Sequence, residues 1–324
     1  MTRILFITAT RVGDAVLSTG VLAELLKQYP KARVTVACGE SASGLFCHIP
    51  HLERIISLTK RRYNLHWFTL WKTCLPYSWD ITVDLRGSPI TWFMWSKKRY
   101  IKHGGRSRGH RLHHLAKVFS FSPAPLPTVW LSEDDKKRAA TIIPTGQQII
   151  AFGPTANWQG KIWPTNRYAL LWQHLTTAYP NAIPALFYGP GTQEALLVRP
   201  VLADLPQAID AGGRFTLTQT AAMLARCCLY IGNDSGLMHL AAATGIPTLG
   251  LFGPSCPSQY APTGALSRWV SPSSQKTDQE KTPIEEGKAS MTDISVNCVA
   301  KAALALLDQA KHDHSHQTVK TVML

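Results

Sequence analysis

Short apolar runs alternate with longer amphipathic stretches along most of the chain. Polar or turn-forming residues bound each run, which is typical of buried strands. The predicted strands are residues 3–8, 33–38, 54–58, 81–85, 99–102, 149–152, 183–188, 208–210, 228–231 and 248–252. Helical patterns separate them, for example at residues 15–29, 164–178 and 296–311. This alternation predicts an α/β fold of parallel, doubly wound sheets.

A proline-rich stretch at residues 122–131 separates two such series. Pro123, Pro125 and Pro127 predict a stiff linker there. We therefore expect two Rossmann-like domains that face a central cleft, at residues 1–125 and 126–311, and a disordered tail at residues 312–324. Residues 271–292 are polar and predict a mobile loop.

The residues that follow the predicted strands are the candidates for a ligand site. Arg11, Gly13 and Asp14 follow the first strand, and Arg86 follows the fourth. In the second series, polar residues cluster at 153–161, 189–194 and 234–239. Because all these positions lie at the carboxyl ends of strands, the fold brings them to the ligand-binding edge of each sheet.

Residues 234–239 lie between a predicted strand and the helix that follows it. Asp234, Ser235 and Gly236 are each able to cap that helix. The N–H groups at such a helix start attract anions, and phosphate above all. The alternative is a capped turn that binds no ligand, with His239 as a structural residue.

Composition narrows the class of protein. The chain has 324 residues, of which 45% are hydrophobic, so two domains can each bury a core. Its seven cysteines show no Cys-x-x-Cys pairing and predict reduced, mostly buried thiols in a cytosolic enzyme. The first residues already form a predicted strand, so we expect no signal peptide. No apolar run approaches the ~20 residues that span a bilayer.

The positive charge is concentrated in the first part of the chain. Residues 1–130 hold 19 Lys and Arg against 6 Asp and Glu, a net charge of +13, whereas the remaining residues have a net charge of +1. We therefore expect the first domain to meet an anionic partner or surface. A basic nucleic-acid-binding protein is one alternative, although no reader motif is recognisable.

Four local patterns resemble those of glycosyltransferase family nine, the ADP-heptose:lipopolysaccharide heptosyltransferases. They are RVGD at 11–14, KIWP at 161–164, GPGTQE at 189–194, and DSGLMH at 234–239 followed by FGP at 252–254. Their order and spacing cover residues 3–311. The chain departs from the family pattern at Gly20, where a proline is expected. The resemblance implies the GT-B fold and a nucleotide-sugar donor.

Sugar transfer needs a base for the acceptor hydroxyl and positive charge for the departing diphosphate. Asp14 and Lys161 are the predicted catalytic residues for these two tasks. The structural alternatives are Asp14 as a helix cap, Lys161 as a solvated surface residue and Glu194 as a first-turn helical residue. The predicted donor-binding residues are Gly13, Thr155, Asn157, Glu194, Asp234, Ser235, Gly236 and His239. The predicted acceptor-binding residues are Arg11, Arg86, Arg106, Arg108, His110 and Arg111.

We predict a transferase that uses no metal or other cofactor. The sequence contains no Asp-x-Asp pattern, which would supply carboxylates for Mg²⁺ on the diphosphate. Lys161 and a helix start would replace the metal. His110, His113 and His114 have spacing compatible with zinc, but no Cys or carboxylate stands beside them. We favour a basic acceptor surface there.

The predicted activity is inverting transfer of a heptose from ADP-heptose to an anionic, Kdo-lipid A-type acceptor of the lipopolysaccharide inner core. The enzyme would be cytoplasmic and peripheral on the inner face of the membrane. Trp67, Trp71, Trp92 and Trp95 suit a membrane interface, although at least half of them are expected to be core residues. The alternatives are a related transferase with another nucleotide sugar, a nucleotide-sugar epimerase, or the nucleic-acid-binding protein.

Overall fold

The chain divides into two compact units in a computed structural model that describes residues 1–59, 65–103, 109–272 and 289–322. The first unit is Met1–Ser132 and the second is Glu133–Leu324. The boundary therefore lies seven residues beyond the predicted end of the first domain at residue 125.

The first unit is a parallel sheet with helical connections. Its described strands are β1 (Arg3–Ile7), β2 (Arg33–Gly39), β3 (Leu52–Leu58), β4 (Trp79–Asp84) and β5 (Ser96–Ile101), in the order β3-β2-β1-β4-β5. Its described helices are α1 (Val12–Gln28), α2 (Glu40–Ser43), α3 (Leu65–Cys74) and α4 (Arg111–Lys117), with short 3-10 helices at Gly44–Phe46 and Pro89–Phe93.

The second unit repeats this plan with one more strand in its described part. The strands are β6 (Ile149–Gly153), β7 (Ile183–Leu186), β8 (Ile209–Asp210), β9 (Leu229–Asn233), β10 (Thr248–Leu251) and β11 (Ser267–Val270). The sheet order is β11-β10-β9-β6-β7-β8. The helices are α5 (Glu133–Ile142), α6 (Asn166–Ala178), α7 (Thr192–Asp204), α8 (Leu217–Leu224), α9 (Gly236–Ala243), α10 (Pro257–Tyr260) and α11 (Val296–Val322).

Strand order reverses once in each sheet, beside the strand that comes first in the chain. In the first unit β1 pairs in parallel with both β2 and β4. In the second unit β6 pairs in parallel with both β7 and β9. Right-handed crossovers on either side of such a point place helices on both faces of a sheet. The predicted α/β fold of parallel, doubly wound sheets is confirmed.

Burial explains why the central strands contain almost only apolar residues. Ile4, Leu5, Phe6 and Ile7 of β1 have no exposed surface, because helices cover both faces of the sheet. The buried face of α1 includes Val16, Leu17, Val21, Leu22 and Leu25. This is the apolar pattern from which the helix was predicted.

The proline-rich linker belongs to the first unit because it packs on α1. The backbone N–H of Thr128 donates a hydrogen bond of 2.9 Å to Oγ1 of Thr19. A Cβ atom at Gly20 would lie 2.5 Å from the carbonyl oxygen of Leu126 and 2.6 Å from that of Pro125. A glycine at this position therefore permits a contact that any side chain, the expected proline included, would block.

The end of the chain differs from the prediction. Helix α11 continues to Val322, whereas the sequence predicted that it ends at residue 311. The disorder expected for residues 312–324 stays a prediction. No glycine or proline stands between residues 312 and 322 to end the helix. Most of the predicted mobile loop, at residues 273–288, lies outside the described residues. None of the described helices is both long and apolar enough to cross a membrane.

None of the seven cysteines, all of which lie in the described residues, forms a disulfide. Cys38, Cys74 and Cys227 are buried, Cys47 is exposed, and the other three are partly buried. Burial raises the pKa of both Cys38 and Cys74 to about 12. Fewer thiols are fully buried than the sequence predicted, because Cys228 and Cys298 pack against the apolar core of the second unit and are only partly buried.

Candidate functional site

The turn after β1 opens into a cavity of about 260 Å³ in the first unit. Its walls include Arg11, Asp14, Arg86 and Arg111, together with Thr10. It lies where β1 and β4 end side by side, which is the ligand-binding position of a doubly wound sheet. The structure thus brings four predicted site residues together, one carboxylate among three guanidinium groups.

Asp14 is the third residue of α1 and does not cap that helix, since the N-cap position is held by Arg11. Its side chain is 27% exposed, and Oδ1 lies 3.7 Å from Nε of Arg111. The helix-cap alternative for Asp14 is therefore not what the structure shows. The carboxylate faces the cavity with a cation beside it.

A buried carboxylate that the sequence analysis did not single out shapes the turn after β4. Asp84 accepts hydrogen bonds from the backbone N–H groups of Arg86 (2.8 Å), Gly87 (3.0 Å) and Ser88 (2.8 Å). Burial raises the pKa of Asp84, and these hydrogen bonds oppose that rise. An aspartate at the end of an apolar strand was the available signal. Through these hydrogen bonds, Asp84 fixes the backbone that carries Arg86.

The Arg86 side chain is exposed but held on two sides. Its Nη1 atom donates to Oγ1 of Thr10 over 3.3 Å, and its guanidinium carbon lies 5.5 Å from the ring centroid of Trp67. A cation at this distance from an aromatic ring is attracted to the ring face. The guanidinium therefore has a defined place at the mouth of the turn.

Lys102, which the sequence analysis did not name, adds a further cation near Asp14. Burial lowers the pKa of its ammonium group, as does the positive charge of Arg111, while Asp14 has the opposite effect. Lys102 directly follows β5, and its backbone N–H donates to the Asp84 carbonyl. Because polar residues that directly follow a strand are candidates for the ligand site, its position after β5 was the available signal for Lys102.

The other predicted acceptor residues have different outcomes. His110 is the N-cap of α4, and its Nδ1 accepts a hydrogen bond of 3.1 Å from the N–H of Leu112. Arg106 and Arg108 lie outside the described residues. In the part of the chain that the structure describes, no three His, Cys, Asp or Glu residues form a group that could hold a metal ion.

In the second unit, Lys161 and Asp234 form an ion pair at the carboxyl ends of β6 and β9. Lys161 Nζ lies 2.5 Å from Asp234 Oδ2, and Asp234 is buried. Lys161 is therefore not the solvated surface residue of the alternative interpretation. The backbone of Ser235 provides the N-cap of α9, which begins at Gly236. A lysine and the positive end of a helix thus lie within a few residues of each other.

Asn233, the last residue of β9, fixes the segment that carries Lys161. Its Oδ1 accepts a hydrogen bond of 3.1 Å from the backbone N–H of Trp163. The Trp163 ring is fully buried, and its Nε1 donates to the carbonyl of Ile294 over 3.0 Å. The sequence analysis missed this role of Asn233 because its partner is 70 residues away.

Glu194 closes a loop in the second unit. Its Oε2 accepts hydrogen bonds from the backbone N–H of Gly189 (2.6 Å) and from Oγ1 of Thr155 (2.8 Å). Glu194 is also the third residue of α7, so it lies in the first turn of a helix, as the structural alternative expected. Thr155 is buried and Asn157 is exposed. Two predicted donor-binding residues, Glu194 and Thr155, are therefore hydrogen-bonded to each other.

Tyr230 lies beneath both of these clusters. Its side chain is fully buried, and a Cβ at Gly153 would lie 1.9 Å from its hydroxyl. Burial raises the pKa of Tyr230 well above its ordinary value, and the negative charge of Glu194 adds to the rise. Only glycine fits at position 153, the last residue of β6, because the Tyr230 hydroxyl occupies the space that a Cβ atom would need. His239 is buried in α9, where its backbone N–H donates to the backbone carbonyl of Ser235 over 3.4 Å.

Comparison with solved structures finds the same fold over almost the whole chain. A glycosyltransferase family 9 protein of Veillonella parvula has a TM-score of 0.77 at 22% identity, covering 95% of this chain and 97% of that one. The ADP-heptose lipopolysaccharide heptosyltransferase II of Escherichia coli has a TM-score of 0.72 at 21% identity, covering 96% and 100%.

Comparison with curated sequences points the same way. Lipooligosaccharide heptosyltransferase 2 of Haemophilus influenzae is 24% identical over 303 residues, 80% of this chain and 85% of the relative. Lipopolysaccharide heptosyltransferase 2 of Salmonella typhimurium is 25% identical over 308 residues, 83% and 87%. A sequence model of glycosyltransferase family 9 (heptosyltransferase) matches residues 72–289, about two thirds of the chain. The chain therefore belongs to glycosyltransferase family 9, the heptosyltransferases.

Proposed function

We propose that this glycosyltransferase moves a heptose from ADP-heptose to an anionic acceptor of the lipopolysaccharide inner core, with inversion at the anomeric carbon. The observation that carries the proposal is the cavity of the first unit, where Asp14 faces Arg11, Arg86 and Arg111. A base surrounded by guanidinium groups suits a hydroxyl nucleophile on an acceptor that carries carboxylates or phosphates.

Asp14 would take the proton of the acceptor hydroxyl as that oxygen attacks the anomeric carbon of the donor. The new carbon–oxygen bond forms on the face opposite the departing diphosphate, so one displacement inverts the configuration. Arg111 Nε lies 3.7 Å from Asp14 Oδ1, so a cation stands beside the proposed base. The arginines would hold the anionic groups of the acceptor. Outside the described residues, Arg106 and Arg108 remain predicted members of this basic set.

Lys161 and the start of α9 would stabilise the negative charge that develops on the diphosphate. Asp234 orients the Lys161 ammonium, and Ser235 and Gly236 present backbone N–H groups at the helix start. We propose the remaining donor contacts at Gly13, Thr155, Asn157, Glu194 and His239. Because Lys161 and the start of α9 would stabilise the charge on the diphosphate, we propose that the transfer needs no metal ion.

We also propose that the enzyme binds peripherally to the cytoplasmic face of the membrane through an aromatic turn, defined as residues 92–95. Trp92, Phe93 and Trp95 are 61%, 71% and 75% exposed. Arg99 fixes this turn, since its guanidinium donates to the carbonyls of Thr91 and Met94. Exposed aromatic residues beside cations suit the interface of an anionic membrane. Of the four tryptophans predicted to be divided between core and surface, Trp67 and Trp71 pack against the apolar core of the first unit.

The test is a transfer assay with the purified protein, ADP-heptose and heptose-deficient lipopolysaccharide. We expect ADP release that depends on the acceptor, and a product whose anomeric configuration is opposite to that of the donor. UDP-sugars and GDP-sugars serve as donor controls. Retained configuration, or transfer from another nucleotide sugar in preference to ADP-heptose, contradicts the proposal. Sugar conversion without an acceptor would indicate the epimerase alternative.

A further inference from the structure

A further cavity, of about 590 Å³, lies at the amino-terminal edge of the first sheet. Arg3 is the first residue of β1, Arg33 is the first residue of β2, and Lys97 is the second residue of β5. Because the strands are parallel, these residues lie at the edge opposite to the one that carries Asp14. The space is therefore separate from the proposed reaction site. We call it the amino-edge cavity, and its lining includes Arg3, Arg33, Ser78, Asp80 and Lys97.

Positive charge exceeds negative charge in the ion pairs around this cavity. Arg3 Nη2 and Arg33 Nη1 lie 3.3 and 3.8 Å from the same oxygen, Oε1 of Glu53. Lys97 Nζ lies 2.7 Å from Oδ1 of Asp80. Three cations thus share two carboxylates in this group, which leaves one positive charge to attract an anionic ligand.

The Arg33 guanidinium has hydrogen-bond donors to offer to such a ligand. Its separation of 3.8 Å from Glu53 is longer than a hydrogen bond, so this ion pair does not occupy its N–H groups. The Arg33 side chain is also 49% exposed. Arg3 is held more firmly, by its hydrogen bond to Glu53 and by the Tyr77 ring, whose centroid lies 5.6 Å from its guanidinium carbon. A planar guanidinium fork matches two oxygens of a phosphate group.

The strands that border the amino-edge cavity also anchor the aromatic turn. Trp95 directly precedes β5, and its carbonyl accepts a hydrogen bond of 3.0 Å from the backbone N–H of Trp79, the first residue of β4. Ser78 comes just before Trp79, and Lys97 lies two residues after Trp95. Exposed tryptophans of membrane proteins lie at the level of the lipid headgroups. A membrane that receives Trp95 would therefore bring headgroup phosphates close to the cavity.

We propose that the amino-edge cavity binds the headgroup of an anionic phospholipid. Arg33 and Arg3 donate to the phosphate oxygens, and Lys97 adds a point charge beside them. Ser78 and Asp80 offer hydrogen-bonding oxygens to a headgroup that carries hydroxyls. One lipid would then hold the first unit at a defined place on the membrane. The inference rests on the proposed membrane contact of the aromatic turn, for which it names the lipid partner.

Calorimetric titration of the full-length protein with dihexanoyl phosphatidylglycerol tests the cavity itself. Below its critical micelle concentration this lipid forms no charged surface, so general attraction to a membrane does not contribute. Arg33→Gln should weaken binding about tenfold, the cost of a hydrogen bond to a charged group. Lys31→Gln is the matched control, because Lys31 is exposed, lies two residues earlier and is not part of the lining. It should bind the lipid as wild type does.

Inorganic phosphate distinguishes a lipid site from a site for the free ion. It should bind wild type at least tenfold more weakly than dihexanoyl phosphatidylglycerol, because it lacks the headgroup hydroxyls that would contact Ser78. Equal affinity for inorganic phosphate would overturn the assignment to a lipid. Absence of lipid binding by wild type, or equal lipid affinity of Arg33→Gln and Lys31→Gln, would overturn the site.

Vesicle sedimentation separates this inference from the membrane proposal on which it rests. With vesicles of phosphatidylcholine and phosphatidylglycerol, Arg33→Gln should sediment less than Lys31→Gln. Equal sedimentation of these two variants, with wild type still bound, would leave the membrane proposal in place and contradict the lipid site. Wild type that stays in solution would contradict the membrane proposal itself. Turnover on a delipidated acceptor should be the same in all three proteins, since the cavity lies at the edge opposite to Asp14.

Discussion

The ammonium group of Lys161 and the buried carboxylate of Asp234 neutralise each other at the carboxyl edge of the second sheet. They are 2.5 Å apart, and Asp234 is 5% exposed. Removing one member of a buried pair leaves the other charge without compensation, and that penalty exceeds the net stabilisation that the pair provides. The pair therefore couples the stability of the second unit to the residue that we propose for diphosphate binding.

A double-mutant cycle separates these two roles. Lys161→Met should lower the free energy of unfolding by about 3 kcal/mol, because Asp234 remains buried and unpaired. Lys161→Met combined with Asp234→Asn should recover most of that stability but not the affinity for ADP-heptose. Urea unfolding and donor titration of wild type, Lys161→Met, Asp234→Asn and the double variant provide the measurement. Full donor affinity in the double variant would show that the pair is only structural.

Asp14→Asn tests the proposed base. Asparagine keeps the shape and the first-turn position of Asp14 but cannot accept a proton. We expect turnover to fall by roughly 10² or more, with donor affinity unchanged, because general base catalysis contributes that much. Acceptor-dependent ADP release measures turnover, and ADP titration serves as the control. A variant with nearly wild-type turnover would remove Asp14 from the catalytic assignment.

Asp84→Asn should disturb the acceptor side without touching the acceptor. An amide retains one acceptor oxygen, whereas the Asp84 carboxylate uses both oxygens to bind three backbone N–H groups. The loss of a buried acceptor should lower the free energy of unfolding by about 1–3 kcal/mol. It should also raise the acceptor KM, since Arg86 follows directly. Asp80→Asn, at the other end of β4, should leave the acceptor KM unchanged.

The same carboxylate has a predictable dependence on pH. Burial raises the pKa of Asp84 above its ordinary value of 3.8, so the folded protein holds this proton to a higher pH than the unfolded chain does. Its contribution to the free energy of unfolding is therefore fully present below pH 3.8 and is lost as pH rises through the raised pKa. Asp84→Asn lacks this dependence. Urea unfolding of both proteins across mildly acidic pH should show the stability advantage of wild type shrinking, as pH rises, toward the about 1–3 kcal/mol that the lost acceptor costs. A difference that does not change with pH would contradict this.

The aromatic turn predicts a membrane phenotype that is separate from catalysis. Trp92→Ala combined with Trp95→Ala should reduce sedimentation with vesicles that contain anionic lipid, because both side chains are mostly exposed. Turnover on a delipidated acceptor should stay unchanged. Trp269→Ala, which removes a half-exposed tryptophan from β11, is the matched control. Equal sedimentation of the variant and wild type would show that the membrane meets another surface.

The sequence predicted those parts of the fold and site that depend on local pattern. Strand ends are visible in the apolar runs, so the sequence predicts Asp14, Arg86 and Asp234 at the carboxyl edges of the sheets, where the structure has them. Contacts between distant residues were not predictable, because neither partner identifies the other. The 73-residue separation of Lys161 and Asp234 and the packing of Leu126 on Gly20 are of this kind. The sequence also could not show that the proline-rich linker packs on α1, so it predicted that the first domain ends at residue 125 and not at Ser132.

Removal of divalent cations is the last test of the leaving-group proposal. If Lys161 and the start of α9 carry the charge of the departing diphosphate, EDTA should leave acceptor-dependent turnover within about twofold of its starting value, since no metal would share that task. Lys161→Ala should then lose turnover whether or not Mg²⁺ is present, because the variant lacks the positive charge that faces the diphosphate. Loss of wild-type activity in EDTA, restored by Mg²⁺, would transfer the electrostatic role from Lys161 to a metal. In that case Asp234 would be the first carboxylate to test as its ligand.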